Sequence, residues 1–292
     1  MDFQSLRFFV TAADAGSFST AAETMNYAQS NLSSRMKQLE DELGEKLFYR
    51  NRRGVSLTAK GKLFYDYAVR LLKLSDDAIS VIQNMDHPQG KLQIGSIEAT
   101  ALGDLPALLS AYHRANPDVQ LSVQTELNDY FVPQVLKSTL DGAFVAGPVS
   151  HPDIHEVFFK TEHLVVVGSA DHRHFRLDEI LSRQPLITFP DNGSIFRKRF
   201  ELLLSSREVS YTDRLTEQNS LGAMIAGISA GIGFGYLPHS IVSKYIDNGI
   251  MCEFPFDDPY ADLQIEFIYR KDHIIDAAFQ NFLDMMKMSH PL

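Results

Sequence analysis

Apolar side chains recur at helical spacing from the start of the chain. Phe3, Leu6, Phe9, Val10 and Ala13 predict a helix that Gly16 ends. Ser17 or Ser19 caps a second helix, with Ala21, Ala22 and Met25 on its apolar face. A short polar turn, Asn26-Tyr27-Ala28, follows. Leu32, Met36, Leu39 and Leu43 then mark a third helix, closed by Gly44. Leu47-Phe48-Tyr49-Arg50 and Val55-Ser56-Leu57 predict two short strands around the turn Asn51-Arg52-Arg53-Gly54. From Thr58 to Met85 the only breaker is Gly61. Phe64, Leu71, Ala78 and Met85 repeat every seven residues, and Tyr67, Leu74 and Val81 fall three later. This predicts a helix of about 28 residues, roughly 42 Å long, with a seam for a partner helix. No other long amphipathic stretch stands nearby in the chain, which favours a second subunit as the partner. His87-Pro88-Gln89-Gly90 breaks the helix and marks a domain boundary.

Beyond that boundary the period changes. Lys91 to Ser96 alternates like a strand, and Leu102, Leu105, Leu108, Leu109 and Tyr112 predict a helix. Strands are expected at Val119–Thr125, Ala143–Ala146, Leu164–Val167, Leu186–Phe189, Leu215–Gln218, Ile232–Tyr236 and Leu263–Tyr269. Helices are expected near Phe131–Leu140, Ile195–Ser206, Leu221–Ala230, Ser240–Ile246 and Asp276–Met288. Strand alternating with helix means parallel α/β units. The expected organisation is a winged helix-turn-helix at 1–58, a linker helix at 59–88 and a two-lobed α/β domain at 89–292. Lobe I would hold 91–161 and 267–292, and lobe II 162–266. Two lobes joined by two crossings resemble a periplasmic solute-binding clamp.

Charge sharpens this division. The net charge is −10, yet residues 1–62 carry nine Lys/Arg against seven acids. A polyanion would be tolerated only by that first segment. The third helix there presents Gln29, Ser30, Asn31, Ser33, Ser34, Arg35 and Lys37, with no carboxylate until Glu40. Amides and hydroxyls suit base edges, and cations suit phosphates. Arg50, Arg52 and Arg53 crowd the tip of the hairpin, placed for phosphates or a narrow minor groove. Double-stranded DNA is the expected partner.

In the second part, ligands of open α/β sheets bind beyond the carboxyl ends of strands. That places the candidate ligand residues at Ser96, Glu98 and Thr100, at Asn128, at Gly147, and at Gln218 and Asn219. Hydroxyls near a helix N-terminus suit an anion, so a small polar or anionic effector is expected. Glu98, if it faces the cleft, would disfavour a second negative charge on it. The single cysteine, Cys252, excludes an internal disulfide and a zinc site built on cysteine pairs, and fits a cytoplasmic setting. The opening MDFQSLRFF shows no leader pattern. The uncharged run Gln218–Ser243 is broken by glycines and Pro238, so it reads as buried helix, turn and strand and no membrane span is expected. Gly231-Ile232-Gly233-Phe234-Gly235 follows a helix and leads into a strand, the wrong context for a nucleotide loop. His172-Arg173-His174 lacks partners at ligand spacing, and Arg197-Lys198-Arg199 reads as a solvated helix face. No cofactor, no metal and no catalytic constellation is expected. Residues 91–292 alone would suit a solute-binding protein or an enzyme, but neither accounts for the first ninety residues.

The chain resembles the LysR-type transcriptional regulators. The likeness rests on Ala21-Ala22, Gln29, Leu32-Ser33, Leu39-Glu40, Leu43-Gly44, Leu47-Phe48, Arg50, Arg53, Val55, Leu57-Thr58 and Gly61. It continues in Gly90-x-Leu92-x-Ile94-Gly95, Asn116-Pro117-x-Val119 and the stretch from Met224 to Leu237-Pro238. Ala28 stands where the family usually has serine, so capping must come from elsewhere; Ser34 stands where a basic or long residue is frequent. The resemblance implies a regulator controlled by an effector between the two lobes. It implies that Ser96–Thr100 is the inducer loop, and that homodimers pair further into homotetramers.

Overall fold

The computed structural model describes residues 1–51, 54–83, 87–190, 194–209, 214–255 and 261–289, without the side chains at 77, 80, 81 and 83. Two compact units divide the chain: Met1–His87 with Lys137–Thr139, and Pro88–Leu136 with Leu140–Leu292.

The first unit opens with α1 (Phe3–Ala15), whose first turn is capped by Asp2, accepting from the Ser5 amide at 2.7 Å. Gly16 ends it in the left-handed region at φ 63°. Ser17 caps α2 (Phe18–Thr24). Then comes α3 (Gln29–Leu43), which has no side-chain cap at Ala28 and ends at Gly44, φ 68°. Among the described residues no side chain supplies the replacement cap. Strands β1 (Phe48–Asn51) and β2 (Gly54–Leu57) form an antiparallel hairpin with Phe48 opposite Leu57. The hairpin docks on the end of α1 through the Val55 amide, which donates to the Gly16 carbonyl at 2.8 Å. A Cβ at position 54 would fall 2.3 Å from that same carbonyl oxygen, so the approach requires glycine. Arg52 and Arg53 lie outside the described residues.

The last element of this unit is α4 (Ala59–Gln83), 25 residues long. Its first turns run along α1. Phe64, Ala68 and Leu72, one row at spacing four, therefore face the local core of Leu6, Phe9, Phe18, Met36 and Phe48. The ring of Phe9 lies 5.1 Å from that of Phe64. This corrects the seven-residue seam at its first position, because Phe64 packs within its own chain. Tyr67 (56%), Leu71 (38%) and Leu74 (55%) remain exposed as a separate stripe, with Ala78 exposed beyond them. Met85 and the side chain of Val81 lie outside the described residues.

The second unit begins with β3 (Gly90–Ser96), α5 (Glu98–Leu102), α6 (Leu105–Ala115), β4 (Val119–Thr125), α7 (Asn128–Leu136) and β5 (Gly142–Ala146). A 16-residue strand, β6 (Ile154–Ser169), leaves this first lobe. The second lobe holds α8 (Leu177–Arg183), β7 (Leu186–Thr188), α9 (Ile195–Ser206), β8 (Leu215–Glu217), α10 (Leu221–Ser229), β9 (Phe234–Pro238), α11 (His239–Asp247) and β10 (Met251–Glu253). β11 (Asp262–Arg270) returns, and α12 (Ala277–Ser289) packs against α6. The sheet order is β4-β3-β5-β11-β6-β9-β7-β8, with β10 beside β6. β3 pairs parallel with β4 and β5, and β7 pairs parallel with β8 and β9. β6 and β11 run antiparallel to their neighbours. The expectation of purely parallel units is corrected here, since the strands that connect the lobes must each travel the reverse way. The expected strand at Leu164–Val167 is the far end of β6. Its nearer half alternates buried and exposed positions too weakly to read as a strand.

Candidate nucleic-acid interface and ligand cleft

On α3 the apolar row Leu32, Met36 and Leu39 is buried, which turns Gln29, Ser30, Asn31 and Ser34 to solvent and leaves Ser33 and Arg35 half-buried. Arg35 reaches Asp2 at 2.9 Å. The last turn departs from the expected pattern. Leu43 is 39% exposed, and Glu40 is buried at 2% instead. The chain passes back over that face, and its amides need an acceptor. Glu40 accepts from the Leu47 amide at 2.9 Å and the Phe48 amide at 3.2 Å. Lys46 and Arg50 reach its other oxygen at 3.1 and 3.2 Å. Burial alone would raise the Glu40 pKa; the two amides, Lys46 and Arg50 outweigh it and hold the carboxyl below its ordinary range. Arg50 also lies over the Phe18 ring, 5.0 Å from its centroid. Its guanidinium therefore ties the hairpin to α2 and α3. The hairpin tip at Arg52 and Arg53 lies outside the described residues.

In the second unit a cavity of about 150 Å³ opens between the lobes. Ile97, Glu98, Thr125, Glu126, Leu127 and Asn128 line it from the first lobe, and Phe189, Ser194, Ile195, Phe196 and Asn219 from the second. Of the expected ligand residues, Glu98, Asn128 and Asn219 meet here. Asn128 is also structural, for its side chain exchanges hydrogen bonds with the Ala146 amide and carbonyl at 2.7 and 3.1 Å. Glu98 crosses between lobes. It accepts from the Ser220 hydroxyl at 3.1 Å and the Leu221 amide at 2.8 Å, capping α10 from a distant part of the chain.

The other four expected residues do not line the cavity. Ser96 is fully buried, with its hydroxyl donating to the Ile97 carbonyl at 3.0 Å. Thr100 is buried on α5, and its hydroxyl finds no hydrogen-bond partner among the described residues. Gly147 lies against Glu266, where a Cβ would come within 2.5 Å of the carboxylate. The Gln218 amide bonds the Thr188 carbonyl at 2.9 Å. The aromatic wall is absent from the sequence reading. Phe189 ends an expected strand and Phe196 lies in an expected helix, and neither is among the expected ligand residues. Arg197, expected in solvent, is another correction: it is 11% exposed and donates to the Phe189 carbonyl, Glu201 and Glu217. Its charge is therefore already answered by two carboxylates. Among the described residues no group of three or more His, Cys, Asp or Glu could hold a metal, and no helix is long and apolar enough to cross a membrane.

Both parts have known counterparts. Residues 3–62 match the profile of the bacterial regulatory helix-turn-helix protein of the lysR family, and residues 85–290 match the LysR substrate binding domain. The chain belongs to the LysR family. Curated relatives of this LysR-family protein include the HTH-type transcriptional regulator GltR of Bacillus subtilis (strain 168), 36% identical over 98% of this chain and 96% of its own. YofA of the same strain is 37% identical over 97% of this chain and 98% of its own. Among solved structures, a full-length single-residue variant of OxyR from Pseudomonas aeruginosa superposes with a TM-score of 0.78 at 24% identity, covering 99% of this chain and 95% of that one. CbnR complexed with its target DNA does so at 0.72 and 23%, covering 99% and 100%. The LysR-family chain is a DNA-binding transcriptional regulator with a substrate-binding domain, and its family is one of regulators rather than enzymes.

Proposed function

We propose that the chain reads its operator with the exposed face of α3 and answers to a small molecule held in the cavity between its lobes. Gln29, Ser30, Asn31, Ser33, Ser34 and Arg35 meet the major groove, while Arg52 and Arg53 meet phosphates or the minor groove. Arg50 contributes to the same interface mainly by holding the hairpin in place. The carrying observation is that this face of α3 is open and presents no carboxylate before Glu40, which is buried. The chain acts as a homodimer through the exposed stripe of α4, because one winged domain reads only a half-site, and dimers pair into tetramers. The support for the cavity is that both lobes line it and that it combines apolar walls with a few polar groups.

Operator selection tests the first part. Gln29→Ala should lose about 1–3 kcal/mol at one base position; a selection that returns the wild-type motif at unchanged affinity sinks the assignment. A reporter assay tests the second. Phe196→Leu with Asn219→Ala should lose the response to any metabolite extract that induces the unaltered chain, while the mobility shift on operator DNA persists. A full response from that double variant places the effector elsewhere.

A further inference from the structure

We infer that the molecule held in this cavity is a small organic cation, an amine carried on an apolar or aromatic body. The inference rests on the reading of the cavity as the effector site and gives that effector a chemical class. The only charged side chains in the lining, among the described residues, are two carboxylates, Glu98 and Glu126. No Lys, Arg or His belongs to it among the described residues.

The two carboxylates differ in availability. Glu98 is committed to Ser220 and Leu221. Glu126 is exposed at the cavity, held in place by its own amide donating to the Ser96 carbonyl at 3.4 Å. Its carboxylate makes no hydrogen bond or ion pair with the described residues. Opposite, on the second lobe, Phe189 and Phe196 stack with centroids 5.9 Å apart and planes 26° from parallel. Ring faces carry negative potential and attract cations. A free carboxylate and an aromatic wall therefore favour the same sign of charge.

Helix N-termini also open here, at α7 and α9, and they favour anions. Each terminus is worth about half a unit charge, so α7 and α9 together offset about one carboxylate, and Glu98, shared with α10, leaves the lining about half a unit negative. The terminus of α10 is already answered by Glu98. Asn128, at the start of α7, has turned its side chain to β5. Arg197, next to Phe196 in the chain, is spent on Glu201 and Glu217. The volume of about 150 Å³ suits one benzene-sized ring.

Calorimetry on the full-length chain with three probes of similar size decides the matter: 2-phenylethylamine, 2-phenylethanol and 3-phenylpropionate. The amine should bind about tenfold tighter than the alcohol and leave the acid far behind. Glu126→Gln should abolish the amine's advantage and leave the alcohol unchanged; this residue is exposed and its carboxylate has no partner among the described residues, so the fold should not suffer. Phe196→Leu should weaken the amine as well. Equal binding of amine and alcohol, preference for the acid, or no binding of the amine at millimolar concentration overturns the cation class while the cavity reading stands on its reporter test. If the amine binds but neither variant changes its affinity, it sits elsewhere and the class assignment falls. If the reporter variants also respond fully, the cavity reading falls with it.

Discussion

Glu40 stands on the helix proposed to read DNA, yet its carboxylate serves the hairpin. Two backbone amides and two cations converge on it in a buried position. Glu40→Ala should cost about 2–4 kcal/mol in urea denaturation, because the amides of Leu47 and Phe48 would be left without an acceptor. Its depressed pKa gives the pH dependence a sign. The stabilisation is complete above the ordinary glutamate range and is lost as pH falls through the lower folded value. Glu266 has the opposite sign. Burial, then the hydrogen bond and charge of Glu156, push it up to about 7, against a smaller downward pull from the Val149 amide. The folded chain thus holds a proton that the unfolded chain has released, and stability falls as pH rises from the ordinary glutamate range to about 7. Glu266→Gln should therefore raise the midpoint of thermal unfolding at pH 8 and leave it nearly unchanged at pH 5; the reverse ranking would refute the assignment. Both residues show what the sequence hides. The apolar spacing of α3 places Leu43 inside and leaves Glu40 on the polar face. The acceptors needed by a turn seven residues on are set by tertiary path, which periodicity does not carry.

Among the elements, α4 shows how one helix serves two surfaces. Its row at Phe64, Ala68 and Leu72 belongs to the first unit's core, and its row at Tyr67, Leu71 and Leu74 is left bare. Isolated apolar residues on a surface need no explanation, but a stripe along several turns does. Leu74→Glu should raise the dimer dissociation constant at least about tenfold in sedimentation equilibrium, given about 1.5–3 kcal/mol for each leucine buried. An unchanged constant would place the dimer contact elsewhere. The helical repeat was legible because it is long; the assignment of each row was not, because both rows are apolar. The same holds for strands. β5 is buried throughout and reads as an apolar run. The three-residue β10 and five-residue α5 are too short to show any period. The cavity was legible where a strand end meets a helix start, at Glu98, Asn128 and Asn219. Ser96 and Thr100 have the right chemistry but are buried, and a loop drawn from sequence gives no direction to its side chains.

At the scale of the molecule, the surplus of basic residues is confined to the segment that carries the helix-turn-helix, while the remainder repels polyanions. This asymmetry disfavours nucleic acid on the substrate-binding domain. That domain looks bipartite in its helices but not in its sheet. β6 pairs with β11 over its first half and with β9 over its second, so one unbroken strand is hydrogen-bonded into both lobes. Neither lobe can lose its strands without stripping partners from the other. Melting should therefore be all-or-none for the pair, seen as one calorimetric transition for the domain rather than two. A molecule that touches only one lobe would still protect amides in both against hydrogen exchange, because every global opening that exposes one exposes the other.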